Sequence, residues 1–318
     1  MASFDRYVIV DWSAAGRPRV GPDSVWIASL GSRGVAATRN PPTRGAAALE
    51  LGDELVDATR RAERVLVGFD FPLAFPRGLA TALGGDGTSW NAVSEYLETS
   101  LRDDDATNGN TRFEVAAAIN ARLGHHVFWG CPPRRAGRDL SARKGRVQYR
   151  ADERTGPTDG QTAGLAEWRE VERLLRKVGF HPHSAWQLLG AGSVGGQALT
   201  GIPVVRRLRR HPALAETSRV WPFEVLEPRL RERMPAVIHA EVWPSLVPLH
   251  VPDHEVKDRV QVIRLAERLR ELDRADLLLR IFAAAPPGSE EEGWILGVGP
   301  DGSNLLAAAG APRTPSRG

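Results

Sequence analysis

Short apolar runs in the first quarter of the chain predict four β-strands. Residues 7–11 (YVIVD), 25–30 (VWIASL) and 35–39 (VAATR) are rich in β-branched and aromatic residues. Residues 64–69 (RVLVGF) form a nearly continuous apolar run, which is typical of a strand buried on both faces. The loop at 31–34 contains two glycines and predicts a hairpin between the second and third strands.

A helix separates the third of these strands from the fourth. Asn40-Pro-Pro-Thr43 ends the third strand, and Thr43 is a suitable N-cap for a helix predicted over 46–62. Three meandering strands, a helix and a strand beside the first are the opening of an RNase H-like sheet. A Rossmann opening is excluded, because its phosphate-binding helix would follow the first strand directly.

The rest of the chain completes a predicted α/β fold. A fifth strand is predicted at 236–242, and an amphipathic helix over 254–272 follows it. Residues 73–185 are rich in Gly, Pro and Arg and show no strand alternation, which predicts a large helical and loop insertion after the fourth strand. The predicted organisation is an RNase H-like core with a mixed five-stranded sheet flanked by helices (1–72 and 186–300), the insertion (73–185), and a disordered tail (301–318).

Composition narrows the class of protein. The 318 residues are 42% hydrophobic and 25% charged, which excludes wholesale disorder. A single cysteine excludes an internal disulfide and a cysteine-based zinc cluster. The absence of a signal peptide pattern and of a long apolar run predicts a cytoplasmic protein with no membrane partner. The net charge is only +3, but 39 of the 42 basic residues are arginines, which bind phosphate well.

Acidic residues stand at the ends of the predicted strands. Asp11 closes the first strand, Asp70 the fourth, and Glu241 lies near the end of the fifth. Carboxylates that converge at one sheet edge repel each other unless a cation lies between them, and Mg²⁺ or Mn²⁺ prefers such oxygen ligands. Two such ions can hydrolyse a phosphodiester. For Glu241, a buried arginine partner is the alternative.

A later helix supplies a fourth candidate. Asp276 opens a helix predicted over 276–285, and Asp273 is a second choice. An acid in a first helical turn is also favoured by the helix dipole alone, so that alternative stays open.

These placements carry a resemblance to a known family. The segments YVIVDWSAAG, VGFDFPLAFP, HAEVWPS and RADLLLRIFAAAP, followed by EEGWILG, resemble the predicted nucleases known as domain of unknown function 429. The resemblance covers roughly residues 5–298 and implies an RNase H-like nuclease. It also implies that Asp11, Asp70, Glu241 and Asp276 are both the catalytic and the metal-binding carboxylates, with Mg²⁺ or Mn²⁺ as the cofactor.

A basic stretch within the insertion predicts contact with nucleic acid. It contains seven basic residues and a single acid, Asp139, and Trp129 and Tyr149 flank it. Such a loop can follow a phosphate backbone and stack a base, although a solvated loop in an arginine-rich protein is the alternative. The seven predicted contact residues are Arg134, Arg135, Arg138, Arg143, Lys144, Arg146 and Arg150.

The leading hypothesis is therefore a metal-dependent nuclease, with two alternatives. The first is an ATP-dependent phosphotransferase of the actin-like superfamily, which needs glycine two residues after the first aspartate, where this chain has Ser13. It would also need Gly190–Gly195, a G-x-G-x-x-G match more typical of a tight helix turn, to bind nucleotide. The second is an accessory protein that keeps the fold without the chemistry.

Overall fold

A computed structural model of the chain describes residues 2–31, 34–85, 89–150, 164–226 and 234–307. The strands are β1 (Arg6–Asp11), β2 (Trp26–Gly31), β3 (Ala37–Arg39), β4 (Arg64–Phe69), β5 (Ser218–Val220) and β6 (Ala236–Glu241). The helices are α1 (Arg44–Arg60), α2 (Leu79–Ala82), α3 (Ser89–Ser100), α4 (Arg112–Leu123), α5 (Glu170–Lys177), α6 (Val194–Arg210), α7 (Lys257–Arg274), α8 (Leu278–Phe282) and α9 (Ser289–Glu292). Short 3₁₀ turns occupy Pro133–Arg135, Lys144–Arg146 and Pro244–Leu246. Within these ranges, no helix combines the length and the apolar character that crossing a bilayer requires.

The strands form one mixed sheet in the order β3-β2-β1-β4-β6-β5. β1, β2 and β3 are antiparallel neighbours, whereas β4, β6 and β5 run parallel to β1. The predicted α/β class and the mixed sheet flanked by helices are confirmed. The predicted number of five strands is wrong, because β5 adds a sixth at the edge. With only three residues, β5 is too short to show a period of two in the sequence.

Alternation along β1 divides its side chains between two apolar layers. Tyr7 and Ile9 pack in the layer that includes α7, whereas Val8 and Val10 pack in the layer that includes α1 and α6. Because successive side chains of a strand point to opposite faces, Asp11 continues the row of Tyr7 and Ile9. The last residue of β1 therefore lies on the face that α7 covers.

The connection from β3 to β4 forms as predicted. Helix α1 begins at Arg44, and its N-cap Thr43 accepts a hydrogen bond from Ala46 N at 3.1 Å. The helix then crosses to β4, which lies beside β1. Of the predicted hairpin loop at 31–34, residues 32 and 33 lie outside the described residues.

The predicted insertion packs onto the sheet. Its described residues contain α2 to α5 and two of the 3₁₀ turns, and no strand. Phe75 and Phe128 belong to the same apolar cluster as Val8 and Val10 of β1. The ring of Phe75 also stacks on Trp186 with 5.1 Å between ring centroids. The insertion and the sheet therefore share one core.

The predicted disordered tail is wrong for its first seven residues. Leu306 is buried, and Asn304 Nδ2 donates a hydrogen bond to Leu246 O at 2.6 Å. Leu305 N also donates to Gly297 O at 2.8 Å. These contacts hold residues 301–307 against the core, which composition alone does not indicate. Residues 308–318 lie outside the described part of the chain.

Candidate active site

Asp11 and Asp70 lie side by side at one edge of the sheet. β1 and β4 are parallel neighbours with Val10 opposite Phe69, and Asp70 N donates to Val10 O at 2.9 Å. Both acids therefore follow the carboxyl ends of adjacent strands, as the sequence predicts. Throughout the described ranges, no residue donates a hydrogen bond to either carboxylate.

Burial and neighbouring negative charge favour the protonated form of this pair. Burial, followed by the charges of Asp70 and Asp258, raises the pKa of Asp11 well above its usual range. Burial, followed by the charges of Glu241 and Asp258, raises the pKa of Asp70 to about 7. The positive charge of Lys257 opposes both shifts only in part. At neutral pH the pair is therefore poised either to hold a proton or to bind a cation.

The start of α7 contributes the third acid of the site, which the sequence analysis missed. Asp258 is in the first turn of α7, and its Oδ2 accepts a hydrogen bond from Asp23 N at 2.8 Å. Lys257 is the first residue of the same helix. The topology could have predicted the position of Asp258. Because β6 runs parallel to β1, the helix that follows β6 begins near the edge of the sheet where β1 ends.

The two late-helix candidates lie at the other end of α7. Asp276 is exposed in the turn between α7 and α8, with φ at +56°, and α7 separates it from Asp258 by about 25 Å. Asp273 is buried near the start of β1, where it accepts hydrogen bonds from Phe4 N at 2.8 Å and from the Tyr7 hydroxyl at 2.5 Å. The structure thus does not bring Asp276 or Asp273 to Asp11 and Asp70.

Glu241 has the buried arginine partner that the sequence analysis gave as its alternative. Arg169 Nη1 donates to Glu241 Oε2 at 2.7 Å, and Arg169 Nη2 donates to Oε1 at 2.6 Å. Leu73 N also donates to Oε2 at 3.0 Å. Described residues therefore donate to both oxygens of Glu241, whereas none of them donates to the carboxylates of Asp11 and Asp70. Its charge still acts on Asp70, whose pKa it raises.

The predicted nucleic-acid loop presents all seven basic residues to solvent. Three of them form ion pairs: Arg135 with Glu114, Lys144 with Glu167 and, at 3.9 Å, Arg138 with Asp139. A groove of about 570 Å³ runs along the loop, and Arg143 and Arg146 line it. The exposed residues are Arg134, Arg135, Arg138, Arg143, Lys144, Arg146 and Arg150.

Tyr149, which flanks this loop, belongs to the core. Its hydroxyl donates to Val127 O at 3.0 Å, and its half-buried ring packs against the apolar cluster under the sheet. The sequence predicted that an aromatic residue beside the loop could stack a base. The Tyr149 ring is not free to do so. The loop offers charge rather than an aromatic platform at this position.

A second cavity, of about 590 Å³, lies away from the carboxylate pair. Arg77, Arg173, Glu170 and Glu292 are among the residues that line it, and neither Asp11 nor Asp70 does. Its charges are of both signs and are largely paired with each other, as in Arg77 with Glu292 and Arg173 with Glu170. This cavity is therefore separate from the carboxylate pair.

The two carboxylates could hold a divalent cation only together with ligands other than the described side chains. Across the described residues there is no group of three or more His, Cys, Asp or Glu side chains arranged to hold a metal ion. Mg²⁺, however, is usually bound through one or two carboxylates together with waters and substrate phosphates. Asp11 and Asp70 could supply two such oxygen ligands, since no described residue donates a hydrogen bond to them.

Fold and site together define an α/β protein with a partly buried carboxylate pair at the edge of a mixed sheet. Comparison of the chain with protein-family models, curated proteins and solved structures gives no match.

The raised pKa of Asp70 predicts how stability depends on pH without divalent cations. Because its folded pKa of about 7 exceeds the ordinary 3.8, the folded state binds this proton more tightly than the unfolded chain. The stability difference between wild type and Asp70→Asn should fall as pH rises from about 4 to about 7, by roughly 3 kcal/mol. Urea unfolding in EDTA across this range measures it.

Added Mg²⁺ provides the control for this prediction. Because the cation competes with the proton, millimolar Mg²⁺ should stabilise wild type more at pH 8 than at pH 5, and should leave Asp70→Asn unchanged. Parallel pH profiles for the two proteins in EDTA would contradict the prediction.

Proposed function

We propose that the protein is a divalent-metal-dependent phosphodiester hydrolase that acts on nucleic acid, with Asp11 and Asp70 as the residues that hold Mg²⁺ or Mn²⁺. One observation carries the proposal. Two carboxylates follow neighbouring parallel strands, and the described residues give them no hydrogen-bond donor. Such a pair is unfavourable as a purely structural element, since buried charge normally has a partner.

The strand order supports an RNase H-like architecture for this hydrolase. β1, β2 and β3 form an antiparallel meander, α1 crosses over, and β4 and β6 extend the sheet parallel to β1. That is the arrangement that the sequence pattern and the family resemblance both predict. In this proposal β5 is an addition to the outer edge, and 73–185 is an insertion that covers one face of the sheet.

Each residue near the pair has a distinct role in the proposed reaction. A divalent cation bound there would polarise a phosphate oxygen and lower the pKa of a bound water. Asp11 and Asp70 would hold that cation in their deprotonated form, whereas burial favours the protonated form when no cation is bound. Asp258 holds the start of α7 against the loop before β2 through Asp23 N, and Lys257 adds positive charge beside an incoming phosphate. Glu241 keeps the residues after β4 in place through Leu73 N.

Nucleic acid is the proposed substrate because of the exposed basic loop. Seven basic side chains over 134–150 can neutralise several consecutive phosphates, as in proteins that follow a nucleic-acid backbone. Arg135 forms an ion pair with Glu114 in the first turn of α4 and lies over the Phe113 ring, so the loop contacts the start of α4. The Arg112 side chain at that end of α4 approaches the loop that follows β1. A polymer bound along the loop would thereby approach the site.

A hydrolysis panel tests the proposal. Labelled single-stranded DNA, duplex DNA, RNA and an RNA–DNA hybrid are incubated with Mg²⁺, with Mn²⁺ and with EDTA. We expect cleavage of at least one polymer with a divalent cation and none in EDTA. Cleavage that persists in EDTA, or no cleavage of any polymer, contradicts the proposal. ATP turnover without polymer cleavage would instead support the actin-like phosphotransferase.

A further inference from the structure

Five arginines are buried in the described part of the chain, and four of them have a carboxylate partner. The closest N–O distances are 2.5 Å for Arg44 to Asp103 and 3.6 Å for Arg64 to Asp5. They are 2.6 Å for Arg169 to Glu241 and 2.9 Å for Arg206 to Glu98. The fifth, Arg112, is only 8% exposed and forms no ion pair with any described residue. Since a buried charge is normally paired, Arg112 lacks the partner that its burial calls for.

The contacts of Arg112 leave much of its guanidinium unused. Nη1 donates to Asn110 Oδ1 at 2.9 Å, and the guanidinium carbon lies 4.2 Å from the centre of the Phe113 ring. Nε is buried without a hydrogen-bond partner. Burial and the nearby charges of Arg44 and Arg135 lower its pKa to about 10, and the charges of Asp103 and Glu114 offset this only in part. An anion beside the guanidinium would relieve both the desolvation and the repulsion between cations.

The unpartnered Nε lies against the first turn of α6. A Cβ atom built onto Gly196 would lie 3.5 Å from Arg112 Nε and 3.3 Å from Ala14 Cβ. Ser193, the N-cap residue, makes no side-chain cap, and the helix is 17 residues long. Gly195 N and Gly196 N donate to Gln187 O and Ser193 O. The helix therefore offers an anion mainly the positive end of its dipole, while Arg112 offers the free donors.

The same place adjoins the loop that follows Asp11. Ala14 is three residues beyond Asp11, and Arg44 Nη1 fixes the loop between them by donating to Ser13 O at 3.1 Å and to Ala15 O at 2.7 Å. One short, well-anchored loop thus connects the proposed cation-binding acids to the unpaired guanidinium.

We propose that Arg112 and the start of α6 bind a phosphate group of the substrate beside Asp11 and Asp70. A guanidinium presents parallel N–H donors that match two oxygens of a phosphate, which makes arginine well suited to this ligand. The identity of the ligand as a substrate phosphate rests on the proposed function. The binding of a tetrahedral oxyanion at Arg112 does not, and it can be measured without hydrolysis or metal.

Binding of inorganic phosphate in EDTA is the first test. Thermal unfolding is followed for wild type, for Arg112→Gln and for Arg122→Gln, a control at the exposed far end of α4, with phosphate or with NaCl of equal ionic strength. We expect phosphate, but not NaCl, to raise the Tm of wild type and control. Arg112→Gln should bind phosphate at least about tenfold more weakly, because charge-assisted hydrogen bonds are lost.

The same data separate a binding role from a structural one. Without phosphate, Arg112→Gln should unfold at the temperature of wild type or above it, because it removes an unpaired buried charge. A lower Tm for Arg112→Gln without phosphate, unchanged phosphate binding by this variant, or equal effects of phosphate and NaCl would each overturn the inference.

Hydrolysis measurements then distinguish failure of this inference from failure of the proposed function. If wild type cleaves nucleic acid, Arg112→Gln should raise KM about tenfold or more, whereas Arg122→Gln should not. Cleavage with an unchanged KM in Arg112→Gln overturns the substrate role of Arg112 and leaves the hydrolase standing. If Arg112→Gln loses phosphate binding and wild type cleaves no polymer, the anion site is supported and the proposed nuclease function is contradicted.

Discussion

Replacing Asp70 by asparagine is expected to lower the rate of metal-dependent hydrolysis by about 10³-fold, which corresponds to about 4 kcal/mol of transition-state stabilisation. The amide keeps the size of the side chain but removes the negative charge that a divalent cation needs. Because no described residue donates a hydrogen bond to the Asp70 carboxylate, the substitution breaks no such bond within the fold. Initial rates at saturating Mg²⁺, beside the unfolding temperature of each protein, give the comparison.

Asp276→Asn is the matched control for this prediction. It makes the same chemical change at an exposed position at the other end of α7, and asparagine tolerates the left-handed backbone conformation of Asp276. The control should retain the wild-type rate within about twofold, since exposed substitutions of this kind have small effects. Equal losses of hydrolysis rate in Asp70→Asn and Asp276→Asn, or the full rate in Asp70→Asn, would show that Asp70 is not part of the active site.

The elements of the sheet were predictable because their signals are local. The apolar run of β4 and the N-cap Thr43 of α1 each lie within a few residues of the structure that they specify, and the structure confirms both. β5 has three residues and depends on pairing with β6, so its own sequence shows no alternation. Residues 301–307 are held by contacts with distant residues such as Leu246, which composition does not reveal.

The candidate site was predictable only where strand topology determines it. Asp11 and Asp70 end strands that the crossover rule makes parallel neighbours, so their proximity follows from the order of elements. The distance from Asp276 to the pair depends on which end of α7 faces the sheet edge, and the acid at the near end is Asp258. The partner of Glu241 is Arg169, 72 residues earlier in the predicted insertion, and no sequence period connects the two.

Arg169 joins three parts of the chain around Glu241. Its Nε and Nη2 donate to Glu172 Oε1 in the first turn of α5, and its Nη1 and Nη2 donate to Glu241 on β6. Nη1 also donates to Glu292 O at 3.1 Å. The guanidinium is fully buried and lies between two buried carboxylates. Removal of the cation would leave both negative charges in a place from which water is excluded.

Arg169→Met is therefore expected to lower the free energy of unfolding by about 3–5 kcal/mol at pH 8. Methionine retains much of the side-chain volume, so the loss comes mainly from the uncompensated carboxylates rather than from a cavity. Glu241→Gln should be milder, at about 1–3 kcal/mol, because the amide oxygen can still accept a hydrogen bond from Arg169 or Leu73 N. Arg60→Met, which removes an exposed partner of Asp57, should change stability by less than about 1 kcal/mol.

The pH dependence of the Arg169→Met defect tests its electrostatic origin. Burial already raises the pKa of Glu241, and without the arginine this pKa rises further, so the variant takes up more protons on folding than the wild type does. Its deficit relative to wild type should therefore shrink as pH falls from 8 to 5 in urea unfolding. A deficit that is equal at both pH values would mean that lost packing, and not uncompensated charge, destabilises the variant.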